Sequence, residues 1–172
     1  MISENIENIN KDNIIIYEAI KNSILQHSYF YKIIYSNHLV SLNGVFCSFE
    51  LNNSLINKDK CNFDLITNNS VINRLQSFEN YLLDKILINN EPKHKIFKLY
   101  DNIISGTIKF NYSEFYSIND SLYNNLSNYL SNNLSNNSSN NQFILKISGV
   151  WETKENIGIT YKFILIKSLL NI

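Results

Sequence analysis

A chain of 172 residues, 44% of them hydrophobic, is long enough to bury one core and is typical of a single globular domain rather than a disordered protein. Its 15 basic and 15 acidic residues give a formal net charge of zero, which argues against the uniformly basic surface of many non-specific nucleic-acid binders. The chain has no run of the about 18 to 20 apolar residues that cross a bilayer and no secretion signal over residues 1–10, so we expect an intracellular protein without membrane contact.

The N-terminal part is predicted to contain a helix followed by a strand-rich block. Apolar residues recur at helical spacing over residues 12–26 and predict the helix. Over residues 29–51, aromatic and β-branched residues alternate with polar ones, as in the strands of an antiparallel sheet. The turn of this block lies either at Asn43-Gly44 or at Ser36-Asn37, with Gly44 then marking a bulge. We prefer the second position, because it leaves two strands of useful length instead of three short ones.

The clearest helix is predicted from Asn69 to about Leu87. Its apolar residues form one stripe that we expect to pack on a sheet. The members of the stripe are Val71, Leu75, Phe78, Leu82 and Ile86. Burying each of them stabilises the fold by about 1.5 to 3 kcal/mol before conformational entropy is subtracted.

The segment after Pro92 is predicted to alternate helix, strand and helix. A short helix covers residues 96–105, with Gly106 in the left-handed conformation that ends many helices. Alternation predicts a strand over residues 107–112, and helical spacing predicts a second amphipathic helix over residues 114–130.

The C-terminal block is predicted to be a flexible loop followed by a β-hairpin. The loop covers residues 131–142, where almost every residue is Asn or Ser. Residues 143–152 and 157–165 alternate apolar and polar side chains on either side of a polar turn, so each strand has one buried face. Gly149 stands where a core side chain is expected, which indicates a bulge or the close approach of another backbone.

Together these elements predict one α+β domain over residues 1–172, with a mostly antiparallel sheet, two to four helices and a C-terminal β-hairpin. The order of the strands in the sheet does not follow from the sequence. A five-stranded OB-like barrel and an open sheet covered by two helices therefore remain alternative architectures.

The sequence offers no residue that can be nominated for a catalytic, metal or cofactor site. The three histidines stand apart, the two cysteines have no metal-binding spacing, and the four glycines form no phosphate-binding loop. The sole Cys–His combination would pair Cys47 with His38 or His94, and nothing positions a base beside it. We therefore predict a non-enzymatic protein without a metal or a cofactor.

Lysine and aromatic residues interleave on the predicted strands, and this combination is typical of sites that bind single-stranded nucleic acid. In such sites cations track the phosphates, and exposed rings stack on the bases. Arg74 joins the candidates because it is the one arginine in a lysine-biased chain. The candidate residues are Lys32, Tyr35, Arg74, Lys98, Lys146, Trp151, Tyr161 and Lys162.

Two of these rings have a second interpretation. Trp151 and Tyr161 share the strand parity of Ile147 and Phe163, which favours rings that complete the core over rings that form a binding platform. The lysines of the same hairpin have the opposite parity and are predicted to be exposed.

Four short segments carry a resemblance to a group of viral proteins. Residues 146–153 (KISGVWET) and 158–163 (GITYKF) resemble a C-terminal hairpin that recurs in small, mostly uncharacterised proteins of large nucleocytoplasmic DNA viruses. Residues 104–110 (ISGTIKF) and 41–45 (SLNGV) are similar to segments that precede it there. The bias towards Asn, Ile, Lys and Tyr indicates an AT-rich genome and agrees with such a source. The resemblance implies a viral accessory protein of the host cytoplasm or nucleus, with an OB-like role on single-stranded DNA.

Two functions fit the sequence. The one we favour is a binding module for single-stranded nucleic acid. The alternative is a structural or assembly protein, such as a virion component or a complex subunit. Such a protein would contact a protein partner or further copies of itself through exposed apolar faces.

Overall fold

Apolar and polar residues alternate over much of the described part of the chain, and most of these segments form β-strands. The computed structural model describes residues 3–22, 27–88, 91–112 and 139–166. Within these ranges the strands are β1 (Glu4–Asn5), β2 (Ile14–Ile16), β3 (Ile20–Lys21), β4 (Tyr29–Ser36), β5 (Ser41–Leu42), β6 (Val45–Asn57), β7 (Lys60–Phe63), β8 (His94–Ile96), β9 (Thr107–Tyr112), β10 (Ser139–Glu152) and β11 (Asn156–Ile166). The helices are α1 (Asn69–Leu87) and α2 (Lys98–Ile103), and Lys11–Asn13 form a 3-10 turn.

Five of the strands close into a barrel. The ring runs β6–β7–β9–β11–β10 and returns to β6, because β10 pairs with β6 on one edge and with β11 on the other. Neighbouring strands of the ring are antiparallel except β9 and β11, which run parallel. The fold is therefore α+β with a closed, OB-like five-stranded barrel, which confirms the first of the two predicted architectures.

The barrel interior is filled by inward-facing residues of β6, β10 and β11. Along β6, every second residue from Val45 to Leu51 is buried, and the residues between them are half-buried. The Phe49 ring lies 5.8 Å from the ring of Phe143 on β10 and 5.9 Å from the ring of Phe163 on β11, measured between centroids. These aromatic contacts join three strands across the centre of the barrel.

Helix α1 forms over the residues that the sequence predicts, and it packs against α2, β6 and β11. Of the predicted stripe, Leu75, Phe78, Leu82 and Ile86 are buried, whereas Val71 is half-buried and Ile72 is buried instead. Among the described residues, neither helix combines the length and the apolar character of a transmembrane segment.

The helix predicted over residues 12–26 is wrong. Ile14–Ile16 and Ile20–Lys21 are strands, and both pair with β4 in antiparallel register. Three consecutive isoleucines are stiff at χ1 and pack well on a pleated sheet, so pairing with β4 outweighs the helical spacing. Residues 23–26 of the predicted helix lie outside the described residues.

The first hairpin turns after Ser36, as the preferred alternative predicts. Ser36 at the end of β4 lies opposite Ser41 at the start of β5. The prediction that Gly44 marks a bulge within one long strand is wrong, because Gly44 separates the two-residue β5 from β6, which pairs with β10. Its φ of 115° favours glycine. A side chain at position 44 would meet the carbonyl oxygen of Ile147 at 2.6 Å, so the glycine also lets β10 come close.

The segment after Pro92 differs from the prediction at its start. Ile96 belongs to β8, which pairs with β11, so the helix predicted over residues 96–105 is reduced to α2. Gly106 ends this helical segment with a φ of 71°, and its N–H donates to the Ile103 carbonyl oxygen at 3.0 Å. Strand β9 has the predicted bounds.

Strand β10 takes up the last four residues of the loop predicted over residues 131–142. Residues 139–142 begin β10, where Asn141 Nδ2 donates to Ser54 Oγ at 2.9 Å. Ladder pairing with β6 thus outweighs the low strand propensity of Asn. Residues 113–138, which include the helix predicted over 114–130, lie outside the described residues.

The C-terminal hairpin has the bulge that its glycine predicts. The register between β10 and β11 shifts at Ser148, the extra residue before Gly149. Beyond this point β10 pairs with β4, and Gly149 lies opposite Lys32. A side chain at position 149 would lie 2.4 Å from both the Phe30 ring and the Tyr31 carbonyl oxygen. Bulge and close backbone approach therefore occur together.

We predict that Gly149→Ala lowers the free energy of unfolding by about 1 to 3 kcal/mol, because the added methyl group overpacks against β4. Urea unfolding followed by circular dichroism measures the change. Ser148→Ala is the matched control at a half-buried neighbour, with an expected change within about 0.5 kcal/mol. If Gly149→Ala unfolds at the same urea concentration as the wild type, β4 does not approach as closely as described.

Candidate functional site

Four lysines lie on the outer face of neighbouring barrel strands. The strand pleat turns Lys60 on β7 and Lys109 on β9 outward, directly opposite each other. On the next two strands of the ring, Lys162 of β11 lies opposite Lys146 of β10. With a spacing of about 4.8 Å between strands, a row across four strands is about 14 Å long. We call these four residues the lysine row.

A cleft of about 450 Å³ lies on the same outer face, beside the C-terminal end of α2. Its lining residues are Lys60, Asn102, Ser105, Thr107, Lys109, Asn111, Tyr161, Lys162 and Phe163. None of these described residues is a carboxylate, although the whole chain has as many acidic as basic residues. The cleft therefore concentrates cations, amides and hydroxyls, which are the side chains that bind phosphate groups.

Asp59 is an acidic neighbour of the lysine row. Its Oδ2 lies 3.1 Å from Lys109 Nζ, and the two side chains are 48% and 73% exposed. The hydrogen bond from Lys109 lowers the pKa of Asp59. Because an exposed ion pair is weak, a phosphate group can replace Asp59 as the partner of Lys109.

Aromatic rings lie beside Lys146 and Lys162 of the lysine row. Lys146 Nζ lies 5.1 Å from the centroid of the half-buried Phe46 ring on β6. In the cleft, the Tyr161 hydroxyl donates to the Lys98 carbonyl oxygen at 3.0 Å and accepts from Asn102 Nδ2. Burial raises the pKa of Tyr161, so this hydroxyl keeps its proton and its donor role at neutral pH.

Helix α2 forms one wall of the cleft, and a buried carboxylate holds its first turn. Glu79 of α1 accepts the backbone N–H of Leu99 at 3.1 Å and that of Tyr100 at 3.0 Å. N–H groups of a first helical turn have no partner within their own helix, so Glu79 caps α2 from the neighbouring helix. Burial raises the pKa of Glu79 to about 7, against the lowering effect of the two backbone hydrogen bonds.

The bulge reverses the orientation of the β10 residues beyond it. Ile147 before the bulge and Val150 after it are both fully buried, although they are an odd number of positions apart. Trp151 is therefore turned to the outer face and is half-buried. Tyr161 lies on β11 and keeps its parity, and its ring packs on the core with its centroid 5.5 Å from that of Phe163. The core interpretation thus fits Tyr161 and does not fit Trp151.

Six of the eight predicted binding residues lie at the lysine row, at the cleft or around the Trp151 ring beyond the bulge. Lys146 and Lys162 belong to the lysine row, and Tyr161 lines the cleft. Lys98 Nζ lies 5.6 Å from the centroid of the Trp151 ring. The sixth residue, Lys32, is exposed on β4 opposite Gly149 of β10.

Tyr35 and Arg74 belong neither to the lysine row nor to the cleft lining, and they are not beside the Trp151 ring. Tyr35 is only 4% exposed, and its hydroxyl donates to Glu4 Oε1 at 2.6 Å, so its ring is not placed to stack on a base. Arg74 Nε lies 3.1 Å from Glu7 Oε1 on the exposed side of α1, and Arg74 does not line the cleft.

Sequence reasoning misses Lys60, Lys109 and Asn111. The alternation within KCNF (60–63) and TIKFNY (107–112) is enough to place these side chains on an outer face. Their convergence with Lys162 depends on the strand order β7–β9–β11, which no local pattern specifies.

The cysteines do not have the properties of a nucleophilic site. Cys47 and Cys61 are free and buried. Burial raises the pKa of both thiols, that of Cys61 to about 11, so neither is a thiolate near neutral pH. Within the described ranges, no three His, Cys, Asp or Glu side chains converge as a metal site requires.

The buried Glu79 predicts a contribution to stability that falls as the pH rises. Its pKa is 4.5 in an unperturbed chain and about 7 in the folded protein, so the folded state binds more protons between these values. We predict that Glu79→Gln, which cannot ionise, loses this dependence. The stability of the wild type relative to the variant then falls by about 1 to 3 kcal/mol as the pH rises through that window. Urea unfolding at several pH values measures it, and parallel pH curves for the two proteins would show that Glu79 is not the cause.

Comparison with known proteins assigns no family to the chain. No protein-family model, no curated protein and no solved structure matches it. Nothing in these comparisons links the chain to large DNA viruses, so that resemblance stays a prediction. The chemistry of the lysine row, of the cleft and of the residues around them is therefore the basis for inferring what the protein binds.

Proposed function

We propose that the protein binds single-stranded nucleic acid, with phosphates along the lysine row and one segment of the strand in the cleft. The observation that carries the proposal is the cleft lining, where three lysines and no carboxylate meet among the described residues. Because the net charge of the chain is zero, this local excess of cations means that acidic residues are concentrated elsewhere. A local positive field attracts a polyanion even when the whole protein is neutral.

The side chains between the lysines supply the remaining contacts. Asn102, Asn111 and Thr107 present amide and hydroxyl groups to the cleft, and such groups bind phosphates, sugars and base edges. If a strand contacts all four lysines of the row, each neutralised phosphate contributes about −0.7 to the dependence of log K on log salt, and the total slope is about −2.8.

The geometry of the surface favours a single strand over a duplex. A duplex is usually read by a helix or a two-stranded ribbon inserted into its groove. The lysine row instead lies on strands that form the wall of the barrel, and the strands and loops of OB-like barrels are a common platform for oligonucleotides. The half-buried Phe46 ring lies beside Lys146, and an aromatic ring beside a cation suits unpaired bases.

An assembly role is the second candidate, and exposed apolar side chains on β2, on β3 and in the segment between them favour it. Ile15 is 45% exposed, Tyr17 52% and Ile20 61%. Contiguous exposed apolar surface marks contacts between proteins. Light scattering separates the two candidates, because a stable oligomer that does not bind oligonucleotides supports assembly instead.

We predict that the double variant Lys109→Gln/Lys162→Gln binds a labelled single-stranded oligonucleotide at least about tenfold more weakly than the wild type at low salt, because two charge-assisted phosphate contacts are lost. Its salt slope falls by about 1.4. Fluorescence anisotropy at low and moderate salt measures both quantities.

The matched control is Lys11→Gln/Arg74→Gln, which removes the same charge beside α1 and away from the cleft lining. We expect its affinity to stay within about twofold of the wild type. Equal losses in the two double variants would place binding outside the cleft. Absence of wild-type binding at tens of micromolar protein in low salt would remove the nucleic-acid proposal altogether.

A further inference from the structure

Trp151 lies on the outer face because of the bulge, and Gly158 makes room for its ring. The two residues are directly opposite on β10 and β11. A side chain at position 158 would lie 2.5 Å from Cζ2 and 2.8 Å from Cε2 of the indole, so the ring rests on the bare glycine. Trp151 Nε1 donates to the Ile159 carbonyl oxygen at 3.3 Å, and this bond fixes the orientation of the ring.

A cation and further apolar side chains surround the indole. Lys98 Nζ lies 5.6 Å from the ring centroid, and Lys98 is an exposed residue. Phe30 of β4 is half-buried and lies opposite Trp151 on the other edge of β10. Ile20 of β3, which is 61% exposed, lies opposite Phe30. Ile20, Phe30 and Trp151 therefore form an apolar row that crosses three strands on the outer surface and ends at the Trp151 ring.

One hydrogen bond connects the Lys98 backbone with the cleft. The hydroxyl of Tyr161, a cleft residue, donates to the carbonyl oxygen of Lys98 at 3.0 Å. The same hydroxyl accepts from Asn102, another cleft residue. Lys98 thus stands between the cleft wall and the Trp151 ring, and a strand that leaves the cleft along α2 meets the indole next.

We propose that Trp151 is a base-stacking subsite for the bound strand, in which a base takes the place of the Lys98 ammonium over the indole. This inference rests on the proposed function. An exposed cation–π contact changes an equilibrium constant by about two- to fivefold, whereas a base stacked on an aromatic side chain changes it by about five- to 150-fold. The base therefore displaces the ammonium, and the long Lys98 side chain can turn to a phosphate of the same strand.

The test uses the fact that Trp151 is the one tryptophan of the chain, so intrinsic tryptophan fluorescence reports on this ring alone. The wild-type protein is titrated with an oligothymidylate and with an abasic oligonucleotide of the same length, while anisotropy follows binding of each. We expect the oligothymidylate to quench the emission in parallel with binding. The abasic strand binds about five- to 150-fold more weakly and leaves the emission unchanged.

Two variants complete the test. Trp151→Leu keeps an apolar side chain but no ring. We expect its affinity for the oligothymidylate to fall by the same factor, about five- to 150-fold, and its affinity for the abasic strand to equal that of the wild type. Trp151→Phe keeps a ring and stays within about tenfold of the wild type. Circular dichroism checks that both variants fold, and the wild-type titration decides the question if either does not.

The outcomes separate the inference from the proposed function. If anisotropy shows binding that depends on Lys109 and Lys162 while the tryptophan emission does not change, the stacking subsite is wrong and the cleft stands. Equal affinity for the oligothymidylate and the abasic strand would also overturn stacking. If neither strand binds the wild type, both proposals are wrong.

Discussion

The fold depends on the contact that β10 makes with β6 and β11 at the same time. Phe143, Leu145 and Ile147 of β10 are fully buried between these neighbours, and their ladder with β6 closes the ring. Beyond the extra residue Ser148, the strand leaves β6 and pairs with β4. The lysine row and the Trp151 ring take their positions from these pairings, so the same strand organises the barrel core and the outer surface.

Long, regular patterns in this chain predict structure well, and short ones do not. Helix α1 follows from a stripe that persists for five turns, and the C-terminal hairpin follows from sustained alternation. The prediction of the first helix fails because β2 and β3 are short, isoleucine-containing segments. Pairing with β4 decides that they form strands and not a helix. Barrel closure joins segments that are far apart in sequence, so composition and periodicity leave it open.

The sequence predicts only those features of the candidate site that lie within a single hairpin. Strand parity is enough to place Lys146 and Lys162 on one outer face, and their direct opposition follows from the hairpin. Both side chains are half-buried there, whereas the sequence predicts them to be exposed. Lys60 and Lys109 come from strands that meet β11 only through the barrel order. For Trp151, parity gives the wrong face, because one inserted residue reverses all orientations beyond it. Gly149 signals the bulge, but it does not show that the inserted residue is Ser148 and that Trp151 is therefore turned outward.

The two opposed lysine pairs have an energetic consequence for the unliganded molecule. Lys60 faces Lys109 across one ladder, and Lys146 faces Lys162 across another. Like charges directly opposite each other weaken a sheet, and the ion pair between Lys109 and Asp59 offsets part of this electrostatic frustration. Counterions relieve that frustration in general, and a bound polyanion relieves it while also drawing the folding equilibrium towards the native state. If the protein binds a polyanion as proposed, binding therefore raises the temperature at which the barrel unfolds.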